Sequence, residues 1–331
     1  ASYRPAIVFL TAYADEATLR STEEVGAVGY IVKPYNRTEV GAVLFTALGL
    51  ARRLAIAGRK QLRPAPNPTR INQPLGGFHG MLGESPPMQA LFQLIADVAT
   101  LDWTILIEGE TGSGKELTAI ALHAESQRAK RPFVPVNCAG LTESLLSSQL
   151  FGHKKGTFTG AVADQKGFFE AANGGTLFLD EVADISASAQ QALLRVLEDG
   201  VLQRVGETQG RKVDVRVISA TQRDLASEVS SGRFRSDLLY RLRAVRVGIA
   251  PLRQRGNDIF LLARKFMAEA SAQTGLKVFD ISEAAQVRLA AYSWPGNVRE
   301  LRHVVEHGVL ACREGVLQLE HLPPEVQLPD N

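Results

Sequence analysis

The run GETGSGKE, Gly109 to Glu116, is the part of the chain with the most specific chemical pattern. An apolar run, TILIEG, leads into it, and a helix-patterned run, ELTAIALHAE, leads out. A glycine-rich turn in that context aims backbone N–H groups at one point, where the positive end of the following helix adds its attraction for anions. The chemistry is phosphate binding. Gly109, Glu110, Thr111, Gly112, Ser113 and Gly114 form the cradle, and Lys115 reaches the β and γ oxygens of a nucleotide. Glu116 stands where the general pattern has a Ser or Thr whose hydroxyl holds magnesium, so the cation must lean on other groups.

Those groups are expected at a second strand end. GTLFLDE closes an apolar run with Asp180 and Glu181, and sheets of this kind bind ligands at the carboxyl ends of their strands. Asp180 is the expected Mg²⁺ ligand, and Glu181 the group that polarises the water attacking the γ-phosphate. A third strand end, VISATQRDL, offers Thr221 and Gln222 as polar groups able to sense the same phosphate. In GRFRSDLLYRL, Arg235 and Arg241 lie six positions apart on a predicted helix. From spacing alone they are equally ordinary salt-bridging residues or charge-stabilising fingers inserted into a neighbour's site.

One run fits no regular element. FGHKKGTFTGAV, Phe151 to Val162, shows neither the alternation of a strand nor the three-to-four spacing of a helix, and it sets Phe158 between Gly156 and Gly160. It reads as a loop with a hydrophobic tip, whose glycines let it bend or swing and whose aromatic needs something to bury against. The bland alternative is a local turn with Phe158 folded back onto the core. Lys154 and Lys155 beside it would steer the loop toward an acidic surface.

The elements that must position these residues alternate along the chain. TILIEG, FVPVNC, GTLFLDE, DVRVISAT and VRVGIA are short apolar runs rich in β-branched residues, as strands buried on both faces of a parallel sheet should be. After Pro251 helices take over: NDIFLLARKFMAEA spaces Ile259, Leu262, Ala263, Phe266 and Met267 on one face, and NVRELRHVVEHGVL opens with Asn297 as N-cap and Glu300 three residues later. Toward the N-terminus, AIVFLTA and VGYIVKPY predict two strands around a helix over residues 13–27, with a further helix from about Arg37. Four segments follow: 1–50, a basic Pro-rich linker over 51–77, an α/β core over 78–251 and a helical subdomain over 252–331. The linker's arginines are a solvated face or a phosphate contact.

With 331 residues, 45% of them apolar, and a net charge of +2, the chain has the composition of a globular protein and too little basic excess to argue for nucleic acid. No apolar run approaches the ~18 residues that cross a bilayer. The two cysteines, Cys138 and Cys312, lie far apart without metal-ligand spacing, which fits a reducing cytoplasm.

Taken together, GESPPM, GETGSGKE, VNCAGL, LFGHKKGTFTGA, GGTLFLDE, FRSDLLYRL, PLRQR and WPGNVREL resemble the AAA+ ATPase domain of NtrC-like bacterial enhancer-binding proteins, the activators of sigma-54 RNA polymerase. The likeness runs through nearly all of Gly80 to Pro324. It implies an α/β fold with a P-loop ATPase core on a parallel sheet, a C-terminal helical lid, ATP and Mg²⁺ as cofactors, a hexameric or heptameric homo-oligomeric ring, and sigma-54 as the partner. By position it makes Asn137 the residue that restrains Glu181 until ATP is properly bound, Arg235 and Arg241 trans-acting fingers, and Arg299 the second sensor on the lid. It makes Gly156, Thr157, Phe158, Thr159, Gly160 and Ala161 the sigma-54 loop, close to the family's GAFTGA. It also accounts for Glu116, because the family ends its phosphate loop in Lys-Glu. Three positions depart from the pattern: Thr157 replaces Ala, Lys154 replaces an acid, and Gln222 stands where Asn is usual.

Residues 1 to 50 are similar to the second half of a response-regulator receiver, a partial flavodoxin-like unit, with Thr11 and Lys33 matching its phosphoryl-contacting Thr and Lys and Tyr30 its switch aromatic. The phosphoacceptor Asp would precede Ala1, and a DNA-binding helix-turn-helix would follow the chain, so DNA contact is expected only through a domain absent here, with no membrane contact. Two other functions stay open: a nucleotide-binding switch without mechanical output, and another AAA+ remodelling machine that lacks sigma-54 contact.

Overall fold

The computed structural model describes residues 8–11, 29–32, 77–140, 142–157 and 161–328. Lys33, the two N-terminal helices, the basic stretch over 51–76, and Phe158, Thr159 and Gly160 lie outside the described residues. The chain divides into two compact units, Ala1–Arg70 and Ile71–Asn331. In the first, β1 (Val8–Thr11) and β2 (Gly29–Val32) pair in parallel, with Phe9 opposite Tyr30 and Thr11 opposite Val32. Parallel pairing requires a crossover of about a dozen residues or more, which residues 12–28 supply.

The second unit opens with α1 (Pro86–Ala99), β3 (Ile105–Glu108), α2 (Lys115–Ala124) and β4 (Phe133–Asn137). Next come α3 (Glu143–Phe151), α4 (Phe168–Ala171), β5 (Thr176–Asp180), α5 (Ala187–Asp199), and a short antiparallel pair, β6 (Val201–Leu202) with β7 (Arg211–Lys212). Then follow β8 (Arg216–Thr221), α6 (Leu225–Ser230), α7 (Ser236–Leu242) and β9 (Val245–Gly248). Five strands form one parallel sheet in the order β4-β5-β8-β3-β9, and each is one of the apolar runs read from the sequence.

Both faces of that sheet are covered, which is why its strands do not alternate in polarity. All six residues of β8 are buried. Successive side chains still point to opposite faces. Leu106, Leu177, Leu179 and Val217 enter one core with Leu146, Phe151 and Leu193, while Ile105, Ile107, Phe178 and Ile218 enter another with Phe92, Ile95 and Leu122. The register sets Asn137 beside Asp180, and Glu108 beside Thr221, at the carboxyl edge of the sheet.

The remaining elements form the lid: α8 (Asp258–Thr274), β10 (Lys277–Ile281), α9 (Glu283–Ala291), α10 (Asn297–Cys312), β11 (Glu314–Leu317) and α11 (Pro324–Gln327), around a core that includes fully buried Trp294. One expectation needs correction, and the helical lid has an addition: KVFDI and EGVL pair as a parallel two-stranded sheet with a bulge between Val278 and Asp280. Too short and too broken by polar residues to show a period of two, these runs gain strand structure only from pairing. Asn297 is not the N-cap of α10: Gly296 precedes the helix, and its N–H donates to Glu300 Oε2 at 2.8 Å. Asn297 is instead wholly buried, at φ 50°.

Candidate functional site: a phosphate loop under a lid

The loop over residues 109–114 joins the end of β3 to the start of α2. Gly112 and Gly114 take φ of 72° and 109°, values open to glycine at little cost. A Cβ on Gly112 would stand 2.2 Å from the Gly296 carbonyl oxygen, so the loop and lid approach as closely as they do only because no side chain intervenes. Lys115 is 7% exposed; its Nζ donates to the Gly109 carbonyl at 3.0 Å and the Glu110 carbonyl at 3.4 Å, which curls it over the loop.

Glu181 follows β5 in the left-handed region, φ 52° and ψ 50°, which is unusual for a side chain of this size and costs on the order of 1 kcal/mol. That backbone carries its carboxylate across the sheet edge: Oε1 lies 3.5 Å from Lys115 Nζ, and Oε2 accepts from Gln222 N–H at 3.4 Å. The Gln222 side chain reaches the loop as well, its Oε1 accepting from the Thr111 hydroxyl. Lys115, Glu181, Gln222 and Thr111 therefore form one contact set drawn from three sequence-predicted motifs. Thr221 is buried, and its Oγ1 accepts from Arg223 N–H at 3.0 Å. Asn137 Oδ1 accepts from Ala139 N–H at 2.9 Å, one strand away from Asp180.

Burial pushes the Asp180 carboxyl above its ordinary range, against the pull of Lys115. A cation held there would relieve that penalty. Among the described residues no group of three or more His, Cys, Asp or Glu side chains can hold a metal by itself. Asp180 thus suits Mg²⁺, which typically takes one or two carboxylates together with phosphate oxygens. The Ser113 hydroxyl, buried within the loop, has no hydrogen-bond partner among the described residues. An orphaned donor, two left-handed glycines and a folded-over lysine fit the phosphates of a nucleotide. The same electrostatics silence Cys138, whose thiol is pushed up to about 12 by burial and by Asp180, Asp184 and Glu181.

Sequence reasoning missed the lid's share. Arg253 donates to both Glu110 oxygens at 2.6 and 2.8 Å, and Asn297 Nδ2 donates to Glu110 Oε2 at 3.0 Å and to the Thr111 carbonyl at 3.1 Å. Buried Arg255 donates to the Ser113 carbonyl at 2.7 Å. Only the neighbouring Arg299 was expected from the sequence; it is exposed at the start of α10 and lines a cleft with Thr111, Gly296, Glu300 and His303.

The two arginines near α7 part company. Arg235 stands before the first turn, exposed and paired with Asp237 at 2.7 Å. Arg241 is half-buried and donates through Nε and NH2 to the Leu197 carbonyl at 3.1 and 2.9 Å, near the end of α5. At the foot of the glycine loop, Gly156 N–H donates to the carbonyl of buried Ala161 at 2.8 Å. Thr157 Oγ1 donates to the Lys154 carbonyl at 2.5 Å and lies 3.3 Å from that of Val205. Lys154 is not free to steer a partner, since its Nζ pairs with Asp164 at 2.7 Å and lies 3.8 Å from Glu207.

Residues 81–248 match the sigma-54 interaction domain, and residues 253–330 match an AAA+ ATPase lid domain. The chain belongs to the sigma-54 interaction domain family. Relatives within reach of this family member include the regulatory protein AtoC of Escherichia coli K12, 40% identical over 98% of this chain and 69% of its own length. The transcriptional regulatory protein ZraR of Klebsiella oxytoca is 44% identical over 96% and 69%, and the response regulator protein PilR of Pseudomonas aeruginosa 40% over 98% and 68%. In structure, NtrX of Brucella abortus in complex with ADP superposes with a TM-score of 0.70 at 35% identity, covering 97% of this chain and 68% of that one. NtrX in complex with ATP has the same score and identity, with 98% and 69% covered. The sigma-54 interaction domain here thus carries the α/β core, and the AAA+ lid domain follows it, as expected from the sequence. No helix among the described residues is long and apolar enough to cross a membrane.

Proposed function

We propose that this chain is a sigma-54-dependent transcriptional activator of a two-component system. It works in the cytoplasm as a hexameric or heptameric ring that hydrolyses ATP to remodel sigma-54 RNA polymerase from its closed to its open promoter complex. The observation that carries the reading is the contact set at the phosphate loop: Glu181 between Lys115 and Gln222, with Thr111 tied to Gln222. A change at one strand end is thereby felt at the other two.

Each side chain has a task in that scheme. Loop N–H groups and Lys115 hold the β and γ phosphates. Glu181, displaced from Lys115 by the phosphates, accepts a proton from the attacking water. Mg²⁺ at Asp180 would neutralise phosphoryl charge. Asn137 restrains Glu181 until the nucleotide is seated, Thr221 and Gln222 respond to the γ-phosphate, and Arg299 reports it to the lid. Arg235 and Arg241 act in the neighbouring subunit's site, and the loop around Phe158 grips sigma-54. The NtrX complexes with ADP and ATP and the family match support this reading at the level of nucleotide and partner class.

Because the fingers come from a neighbour, specific ATPase activity should rise with protein concentration until assembly is complete. Turnover measured per chain across a dilution series, with sedimentation to report assembly, checks it. A monomer that hydrolyses ATP at a concentration-independent rate would contradict the shared site.

A further inference from the structure

We infer that Arg253 and Asn297 of the lid are positioning residues for nucleotide binding, which hold the phosphate loop's N–H groups in their binding orientation through contacts on the opposite side of its peptides. This rests on the nucleotide reading of the loop above. Its basis is where the loop carbonyls go. Those of Gly109 and Glu110 accept from Lys115. The next three, on Thr111, Gly112 and Ser113, accept in turn from Asn297 Nδ2, the Val298 N–H at 3.0 Å, and Arg255. In a planar trans peptide the C=O of one residue and the N–H of the next point in opposite directions. Three carbonyls fixed toward the lid therefore turn the N–H groups of Gly112 and Gly114 away from it, while the Ser113 N–H closes a turn on the Glu110 carbonyl at 3.2 Å.

Asn297 is built as a hub for that purpose. Its Oδ1 accepts from Leu252 N–H at 2.7 Å, and both hydrogens of its Nδ2 are spent on Glu110 and Thr111. Reversing the amide would set its oxygen against a carboxylate and a carbonyl, so the orientation is fixed by its partners. It keeps the left-handed backbone, φ 50°, that brings it there. Glu110 has a second role for the lid to manage. It is a carboxylate within a loop that must take a polyanion, and the two-pronged contact from Arg253 cancels its charge. The strength of that contact shows in the Glu110 carboxyl, held at about 2 by Arg253 and then by Asn297.

Charge cancellation makes a prediction that simple loss of a contact does not. Arg253→Gln leaves the Glu110 charge uncancelled in the loop that takes the phosphates, with only the neutral Asn297 amide on it, so it should weaken binding of a fluorescent ATP analogue with Mg²⁺ by about tenfold or more. Glu110→Gln should weaken it less, and the double variant Glu110→Gln with Arg253→Gln should bind more tightly than Arg253→Gln alone. Arg253→Lys should recover part of the loss, since one donor and the charge remain. The test is a double-mutant cycle on the dissociation constant in the 331-residue protein, with the melting temperature of each variant alongside. Lowered melting temperatures with dissociation constants within about twofold of wild type would overturn the inference, and so would two single effects that simply multiply. Wild-type protein that binds no analogue overturns the nucleotide reading itself, which is a separate result.

Discussion

Glu181→Gln is expected to bind ATP about as well as the wild type and to hydrolyse it roughly 10²–10⁴-fold more slowly. In the proposed reading the phosphates are held by the loop N–H groups and Lys115, none of which the change removes. The carboxylate is 15% exposed and set across the sheet edge by a left-handed backbone, a costly conformation that motivates the proposed task for the side chain. Glutamine has the same shape, so the Gln222 contact can survive, while its amide cannot take a proton from water. Equilibrium binding of an ATP analogue and steady-state phosphate release separate the two steps. Undiminished turnover would remove Glu181 from its role, and loss of binding would make it a structural support for Lys115.

Arg241→Ala has the next largest expected effect, a fall in turnover of roughly 10³–10⁵-fold if the guanidinium stabilises transferring phosphate in a neighbouring subunit. Its contact with the Leu197 carbonyl supplies a competing explanation, namely a tie between α7 and the end of α5. Mixing distinguishes the two. Arg241→Ala chains have an intact phosphate loop, and Lys115→Ala chains have an intact arginine. In the proposed ring, mixed subunits would complete some sites, and activity should return above the sum of the separate preparations. A purely structural arginine predicts a destabilised variant and no rescue.

How much of this was legible in the sequence follows from how far apart the cooperating atoms lie along the chain. The phosphate loop and the Asp180–Glu181 strand end are runs of consecutive residues whose chemistry and local context coincide, so the α/β sheet and its edge could be read directly. Arg253, Arg255 and Asn297 lie some 140 to 190 positions from the loop groups they touch, and nothing in PLRQR or GNVREL as strings says which carbonyls they reach. Asn297 misled for a physical reason: Asn before a helical run is a favoured N-cap, but hydrogen bonds of its side chain with the Leu252 N–H, Glu110 and the Thr111 carbonyl outweigh that preference. Lys154 looked like a free charge because Asp164 and Glu207 reach it only once the loop's foot is folded.

The link between nucleotide and sigma-54 is tested most directly by capture: purified chain and sigma-54 are combined with ADP and aluminium fluoride, a mimic of the transferring phosphate, and resolved on a native gel. A sigma-54 complex should form with the mimic, should not form with ADP alone, and should be lost in Phe158→Ala. No complex in any nucleotide state, or a full complex with Phe158→Ala, would contradict it.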